Sequence, residues 1–167
     1  MKGLLYSLLG ALVLGLSACS ASRQVAVQTP VGPAPSGVTT ASPDGGLQVF
    51  SAWAIGTPGE PAYVRYHSGY WVYLPDGKLL RYITNRSGGA EHMTGDPEVV
   101  SLAPGRYKVV ARVESSGTAE IPVVVEAGKT SSIHLDGSKL EPGSSLGGSD
   151  VVRLPDGLVV GWAIRDQ

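Results

Sequence analysis

Six of the eleven aromatic side chains fall in one short stretch: Tyr63, Tyr66, Tyr70, Trp71, Tyr73 and Tyr82. Tyrosine and tryptophan join a flat apolar body to a polar tip, so rings displayed on a sheet can stack against sugar rings. Alternation along a strand decides which rings can cooperate. Trp71 and Tyr73 share one face of their strand, and Tyr70 takes the other. With a three-residue loop at 75–77, Leu74 opposes Lys78 and Tyr70 opposes Tyr82. The candidate ligand-binding residues are therefore Tyr70, Trp71, Tyr73 and Tyr82, acting as Trp71 with Tyr73 or as Tyr70 with Tyr82. The ligand class they suit is carbohydrate, peptidoglycan included. The competing use of the same rings is plain packing, one set in a core and the other over a solvated face.

Other chemistry is thinner. The histidines are His67, His92 and His134, with Glu91, Asp96 and Glu98 near the second, and no pair has the close spacing of a zinc motif. No metal or other cofactor is expected. Serines are plentiful, but none sits in a Gly-x-Ser-x-Gly elbow. Ala127-Gly128-Lys129-Thr130 has the ending of a phosphate-binding loop, yet Val123 stands where its first glycine belongs. No catalytic residues emerge, and the chain reads as a noncatalytic protein. A hydrolase or metal-dependent enzyme assembled from distant strands is the outlying alternative. Thirteen basic and fourteen acidic residues leave a formal charge of −1, with no basic footprint for nucleic acid.

The one cysteine, Cys19, excludes an internal disulfide in the monomer. Ahead of it, Met1-Lys2 opens with positive charge, and an apolar run from Leu4 to Leu16 is short for a bilayer span of about 20 residues. This is the pattern of an export signal over 1–18. The string Leu16-Ser17-Ala18-Cys19 resembles the lipobox of bacterial lipoproteins. The resemblance implies that Cys19 carries a diacylglyceryl group, that the chain is cut just before it, and that the membrane is a partner through the lipid. Each buried methylene contributes roughly 0.8 kcal/mol, so two acyl chains hold firmly. Ser20 in place of an aspartate implies, by the same resemblance, the outer membrane of the cell envelope.

Residues 20–46 hold Pro30, Pro33, Pro35 and Pro43 with Gly32, Gly37, Gly45 and Gly46. Composition of this kind buries too little to offset ordering entropy, which predicts a disordered tether over 19–46. The folded domain is expected over 47–167. There, period-two alternation predicts strands at 47–55, 61–67, 70–75, 78–84, 98–102, 105–114, 119–126, 130–136, 150–154 and 158–164. Pro122 inside one of them predicts an edge or a bulge. Leu74-Pro75-Asp76-Gly77 and Leu154-Pro155-Asp156-Gly157 each predict a hairpin, with proline presetting φ, aspartate accepting hydrogen bonds and glycine taking positive φ. The shared tetrapeptide reads as convergent turn chemistry.

Short strands at this spacing predict an all-β sandwich or barrel. The run Leu102-Ala103-Pro104-Gly105-Arg106-Tyr107-Lys108-Val109, followed by the Ala-Gly-Lys-Thr turn at 127–130, resembles the bacterial prealbumin-like and carboxypeptidase-regulatory-like families over about residues 62–136. That resemblance implies an antiparallel β-sandwich of immunoglobulin/transthyretin-like type, used as an accessory or binding unit. The chain thus reads as a lipid-anchored binding or envelope-structural module. Its expected partner is a glycan or an envelope protein.

Overall fold

Alternation seen in the sequence becomes alternation of burial in the fold. The structure, a computed structural model, describes residues 24–35, 37–55, 65–85, 96–114, 117–138 and 150–164. Residues 1–18, expected to be an export signal, together with Cys19, Tyr63, Glu91 and His92, lie outside the described residues. Among the described residues every regular element is a strand. In order they are β1 Gln24–Ala26, β2 Val31–Gly32, β3 Gly45–Phe50, β4 Trp53–Ile55, β5 Arg65–His67, β6 Tyr70–Tyr73, β7 Leu79–Ile83, β8 Val100–Leu102, β9 Gly105–Arg112, β10 Thr118–Val125, β11 Thr130–His134, β12 Val151–Arg153 and β13 Val159–Ala163.

Each of the ten regions expected to form strands contains one, although residues 61–64 of the second region lie outside the described residues. The region 47–55 divides into β3 and β4, because Ser51 and Ala52 leave the ladder. The Ala52 amide instead donates to the Arg112 carbonyl at 3.0 Å.

The strands make two facing sheets. The larger runs β12-β13-β2-β10-β9-β6-β7, with β1 also on β10; the smaller runs β11-β3-β8. A short β4-β5 ladder stands beside them. In β9 and β10 every second residue points inward: Tyr107, Val109 and Ala111 from one, Ala119, Ile121, Val123 and Val125 from the other. Leu47, Val49 and Ile133 of the smaller sheet meet them, and all three are fully buried. The result is an all-β sandwich.

Three expectations are corrected. The first is the tether over 19–46. From Gln24 the chain is paired: β1 lies parallel to β10, and β2 sits between β10 and β13. Val31 is fully buried. The apolar groups of this stretch are too few to offset ordering on their own, but Val31 shares a core supplied by strands far along the chain. The domain therefore begins by residue 24 and not at 47.

The second concerns pairing. The sandwich is mixed, because β1-β10, β2-β10 and β3-β11 are parallel. Period-two patterning reports burial, and it is blind to strand direction.

The third concerns Pro122. Its strand is central, with β9 on one side and β1 and β2 on the other. Val113 N donates to Gly117 O, so along the ladder the odd residues of β10 bond to β9 and Pro122 turns its nitrogen the other way. There it falls between Glu120, the last β10 residue paired to β1, and Val123, paired to β2. The missing donor is thus placed where no ladder bond is required.

Both Pro-Asp-Gly hairpins form as three-residue loops. Leu74 N donates to Lys78 O and Leu154 N to Leu158 O, each at 2.9 Å. Gly77 and Gly157 hold φ of 85° and 92°. Asp76 and Asp156 each accept the backbone N–H two residues on.

The place of β2 is open to test. Trimming Val31 to alanine removes two buried carbons from the middle of the core and should cost about 2 kcal/mol. Urea unfolding of Val31→Ala should show a lower midpoint at unchanged slope; an unchanged midpoint would mean that the segment is a tether after all.

Candidate functional site

The outer face of the larger sheet carries the exposed aromatics. On β6, alternation buries Tyr70 and Val72 and turns Trp71 and Tyr73 outward, as expected. The partner of Trp71 was not expected. Lys78 opposes Leu74 across the turn and Leu79 opposes Tyr73, but the next pair is Val72 with Arg81. Leu80 is the extra residue of a β-bulge. Beyond it, every residue of β7 opposes a residue of β6 one place later in the sequence than a plain ladder would give. Trp71 opposes Tyr82, and Tyr70 opposes Ile83.

The proposed Tyr70–Tyr82 pairing is therefore corrected by one bulged residue. Tyr70 belongs to the core. It is fully buried, and burial pushes its hydroxyl pKa well above the usual tyrosine value.

Trp71 and Tyr82 are 37% and 49% exposed, and their ring centroids are 5.1 Å apart at 49°. Tyr82 is laid over Gly69, where a Cβ would come within 2.1 Å of its hydroxyl oxygen. The bare backbone at that point lets the ring lie close to the sheet. Across β9, Val110 continues the row from Trp71.

One step along, Tyr73 opposes Lys108. The Lys108 ammonium stands 5.3 Å from the Tyr73 ring centroid and 3.1 Å from the Glu120 carboxylate. Gln24 of β1 donates to the same Glu120 side chain. The face thus joins an aromatic step to a fixed polar row of Lys108, Glu120 and Gln24. Such a surface can stack against a flat, hydroxyl-rich ligand and hydrogen-bond its rim.

A second cluster lies where β3 and β11 end. Phe50 stacks on His134 with centroids 4.4 Å apart, and meets His67 edge-on at 5.6 Å. Trp53 stacks on His67 at 4.0 Å. His67 is buried, and its Nδ1–H donates to the Ser51 carbonyl at 2.6 Å, since a carbonyl can only accept. Beneath it, Asn85 holds the left-handed backbone region at φ 54°, which asparagine tolerates. Its amide donates to Val49 O at 2.8 Å, Ser51 Oγ at 3.2 Å and Ser68 O at 3.3 Å. Asn85 Oδ1 and Ser68 Oγ have no partner among the described residues.

His134 Nδ1 lies 3.2 Å from Ser138 Oγ, whose hydroxyl donates to Asp136 at 2.5 Å. The serine hydroxyl therefore points its hydrogen at the carboxylate and not at the imidazole, which is the reverse of what an activated nucleophile needs. No group of three or more metal-binding side chains forms among the described residues. Sequence reasoning named His67 and His134 singly. Their convergence was hidden because it depends on the parallel register that sets His134 beside Phe50.

Compared with family models, curated proteins and solved structures, the chain matches none.

Burial holds the His134 imidazole below its ordinary pKa of 6.5, with Asp136 and Asp96 opposing and His67 adding to the shift. A folded-state value below the unfolded one means that the unfolded chain takes the proton first. The stability tied to this group is complete above the unfolded value, near pH 6.5, and is lost as pH falls through the lower folded value. His134→Phe keeps a flat ring against Phe50 and removes the proton site. Unfolding midpoints between about pH 8 and about pH 5 should fall less steeply for this variant than for the wild type. Equal slopes would show that His134 is not linked to stability.

Proposed function

We propose that this chain is a lipid-anchored, noncatalytic binding module of the bacterial cell envelope, exported and tethered through Cys19, with the outer-membrane side the favoured address. Its binding surface is the outer face of the larger sheet, centred on Trp71 and Tyr82 with Tyr73 and Lys108 alongside. The ligand class is a glycan, the strands of peptidoglycan included.

The observation that carries this reading is the exposed Trp71–Tyr82 pair. Two large rings lie side by side, tilted at 49° to one another, outside a core that already holds twenty buried residues. Packing does not need them. Tyr73 adds a third ring on the same face, and Lys108 and Glu120 offer a donor and an acceptor within reach of a sugar hydroxyl. The anchoring part of the proposal is supported by the Leu16-Ser17-Ala18-Cys19 string and by the export pattern before it.

A second reading has its own support. β7 ends the larger sheet, and Leu79 and Leu80 on it are 50% and 44% exposed. A strand edge left unpaired among the described residues and flanked by exposed leucines suits an envelope protein that adds a strand there.

The test uses residues 19–167 with Cys19→Ser, pulled down on purified peptidoglycan and titrated against a glycan panel. Trp71→Ala and Tyr82→Ala should each weaken binding by about tenfold, the loss of one stacked ring. Tyr70→Phe, which alters only the buried hydroxyl, should leave affinity unchanged. Failure of the wild-type chain to bind any glycan would reject the aromatic platform and leave the β7 edge as the surface to probe.

A further inference from the structure

The short distance in sequence between Cys19 and β1 fixes more than attachment. We infer that the end of the sandwich where β1 starts faces the membrane, and that the lipid surface around the anchor is the partner of that end. The inference rests on the lipid-anchored reading above.

Gln24 is five residues after Cys19. An extended chain spans at most about 3.6 Å per residue, so the first paired residue lies within about 18 Å of the anchored backbone. β1 is not loose at that point. Gln24, Val25 and Ala26 pair with Thr118, Ala119 and Glu120, Val27 N donates to Glu120 O at 3.0 Å, and the Gln24 side chain is tied to Glu120. A tether lasting to residue 46 would let any face of the domain meet the bilayer. A five-residue leash held to the start of β10 does not.

Strand direction gives the contents of that end. β10 departs from it, and β9 arrives at it with Arg112 opposite Thr118. Ala52 N donates to Arg112 O, and Trp53 N donates to the Glu114 carboxylate at 2.9 Å, so β4 starts there. β5 runs back beside β4, setting Arg65 opposite Ile55 at the far tip of that ladder. The Arg65 guanidinium lies 5.2 Å from the Trp53 ring centroid. Arg65 and Arg112 are exposed, and Trp53 is half-buried.

An indole backed by a guanidinium suits the boundary layer of a bilayer. The guanidinium forks onto phosphate oxygens and the ring takes the less polar layer below. Glu114 and Asp136 are at this end too. The opposite end carries the two Pro-Asp-Gly turns, with Asp76 and Asp156, together with Lys78 and Arg106. Net charge therefore does not choose between the ends; the leash does.

In this orientation the turns at 75–77 and 155–157 point away from the bilayer. The face bearing Trp71 and Tyr82 stands upright beside it, open from the side.

The chain's single native cysteine makes the test specific, because lipidation leaves no other free thiol. Thr118→Cys and Arg106→Cys are made separately in the full chain. Arg106 opposes Val124, six places along β10 from Thr118, so the two sites are about 20 Å apart on one face. Each lipidated protein is labelled with a small fluorophore. It is then reconstituted into phosphatidylethanolamine and phosphatidylglycerol vesicles containing a headgroup spin-labelled lipid as quencher. Mass spectrometry of the same samples reads the acyl groups on Cys19.

Quenching should be more than about twofold greater at 118 than at 106, given that ~20 Å separation. Equal or reversed quenching on a lipidated chain would overturn the orientation while leaving the anchor intact. A chain lacking the acyl mass would overturn the anchor and, with it, this inference.

Discussion

The larger sheet is held in one piece by two residues. Val31 and Gly32 form the strand that joins β10 to β13, parallel to the first and antiparallel to the second. Among the described residues, no other strand of the ladder connects the central β-meander to the final hairpin. The Val31 side chain fills the core beneath that junction, and Pro33, just beyond, bridges to Ser131 of the smaller sheet. Ser131 in turn donates its hydroxyl to Val124 O at 2.7 Å, tying the smaller sheet to β10. A segment with the composition of a linker thus binds both sheets and the C-terminal hairpin together. Its glycine and prolines are compatible with that position because a two-residue strand asks for few donors and little side-chain volume.

What could be read from the sequence was governed by period. Where residues alternate over five or more positions, as in β9 and β10, burial follows the alternation residue by residue. The Pro-Asp-Gly turns were equally legible, because φ at Gly77 and Gly157 and the acceptors on Asp76 and Asp156 are local properties. β1 and β2 were not legible, since three and two residues are too few to show a period. Parallel pairing was hidden for a different reason. A strand buries the same side chains whichever way its neighbour runs. The sandwich architecture survives both omissions, because the meander and the facing β3-β11 pair already enclose the core.

The aromatic site shows how one residue can redirect such a reading. Tyr70, Trp71, Tyr73 and Tyr82 were all visible as candidates, and Trp71 and Tyr73 do share the outer face. The bulge at Leu80 then moves Tyr82 opposite Trp71 and leaves Tyr70 opposite Ile83. The second Pro-Asp-Gly hairpin has the same irregularity: Arg153 opposes Val159 while Val152 opposes Gly161, which leaves Val160 as the extra residue. Two hairpins at the opposite edges of one sheet thus use one turn and one bulge in the same order. A three-residue loop closed by a left-handed glycine, followed by a bulge in the return strand, curls each edge of the sheet.

The placement of β1 and β2 also has a bearing on time. Gln24 and Val31 are made early, yet they pair with Thr118, Val123 and Ala163. Contacts so distant along the chain must close large loops before they return any energy, and such topologies form slowly. The core cannot be completed until the last strand is present. A chain that threads a membrane before it folds benefits from that delay. Under the export proposed above, the two strands that lock the finished domain would also be the ones that keep its precursor open until all of it has passed through.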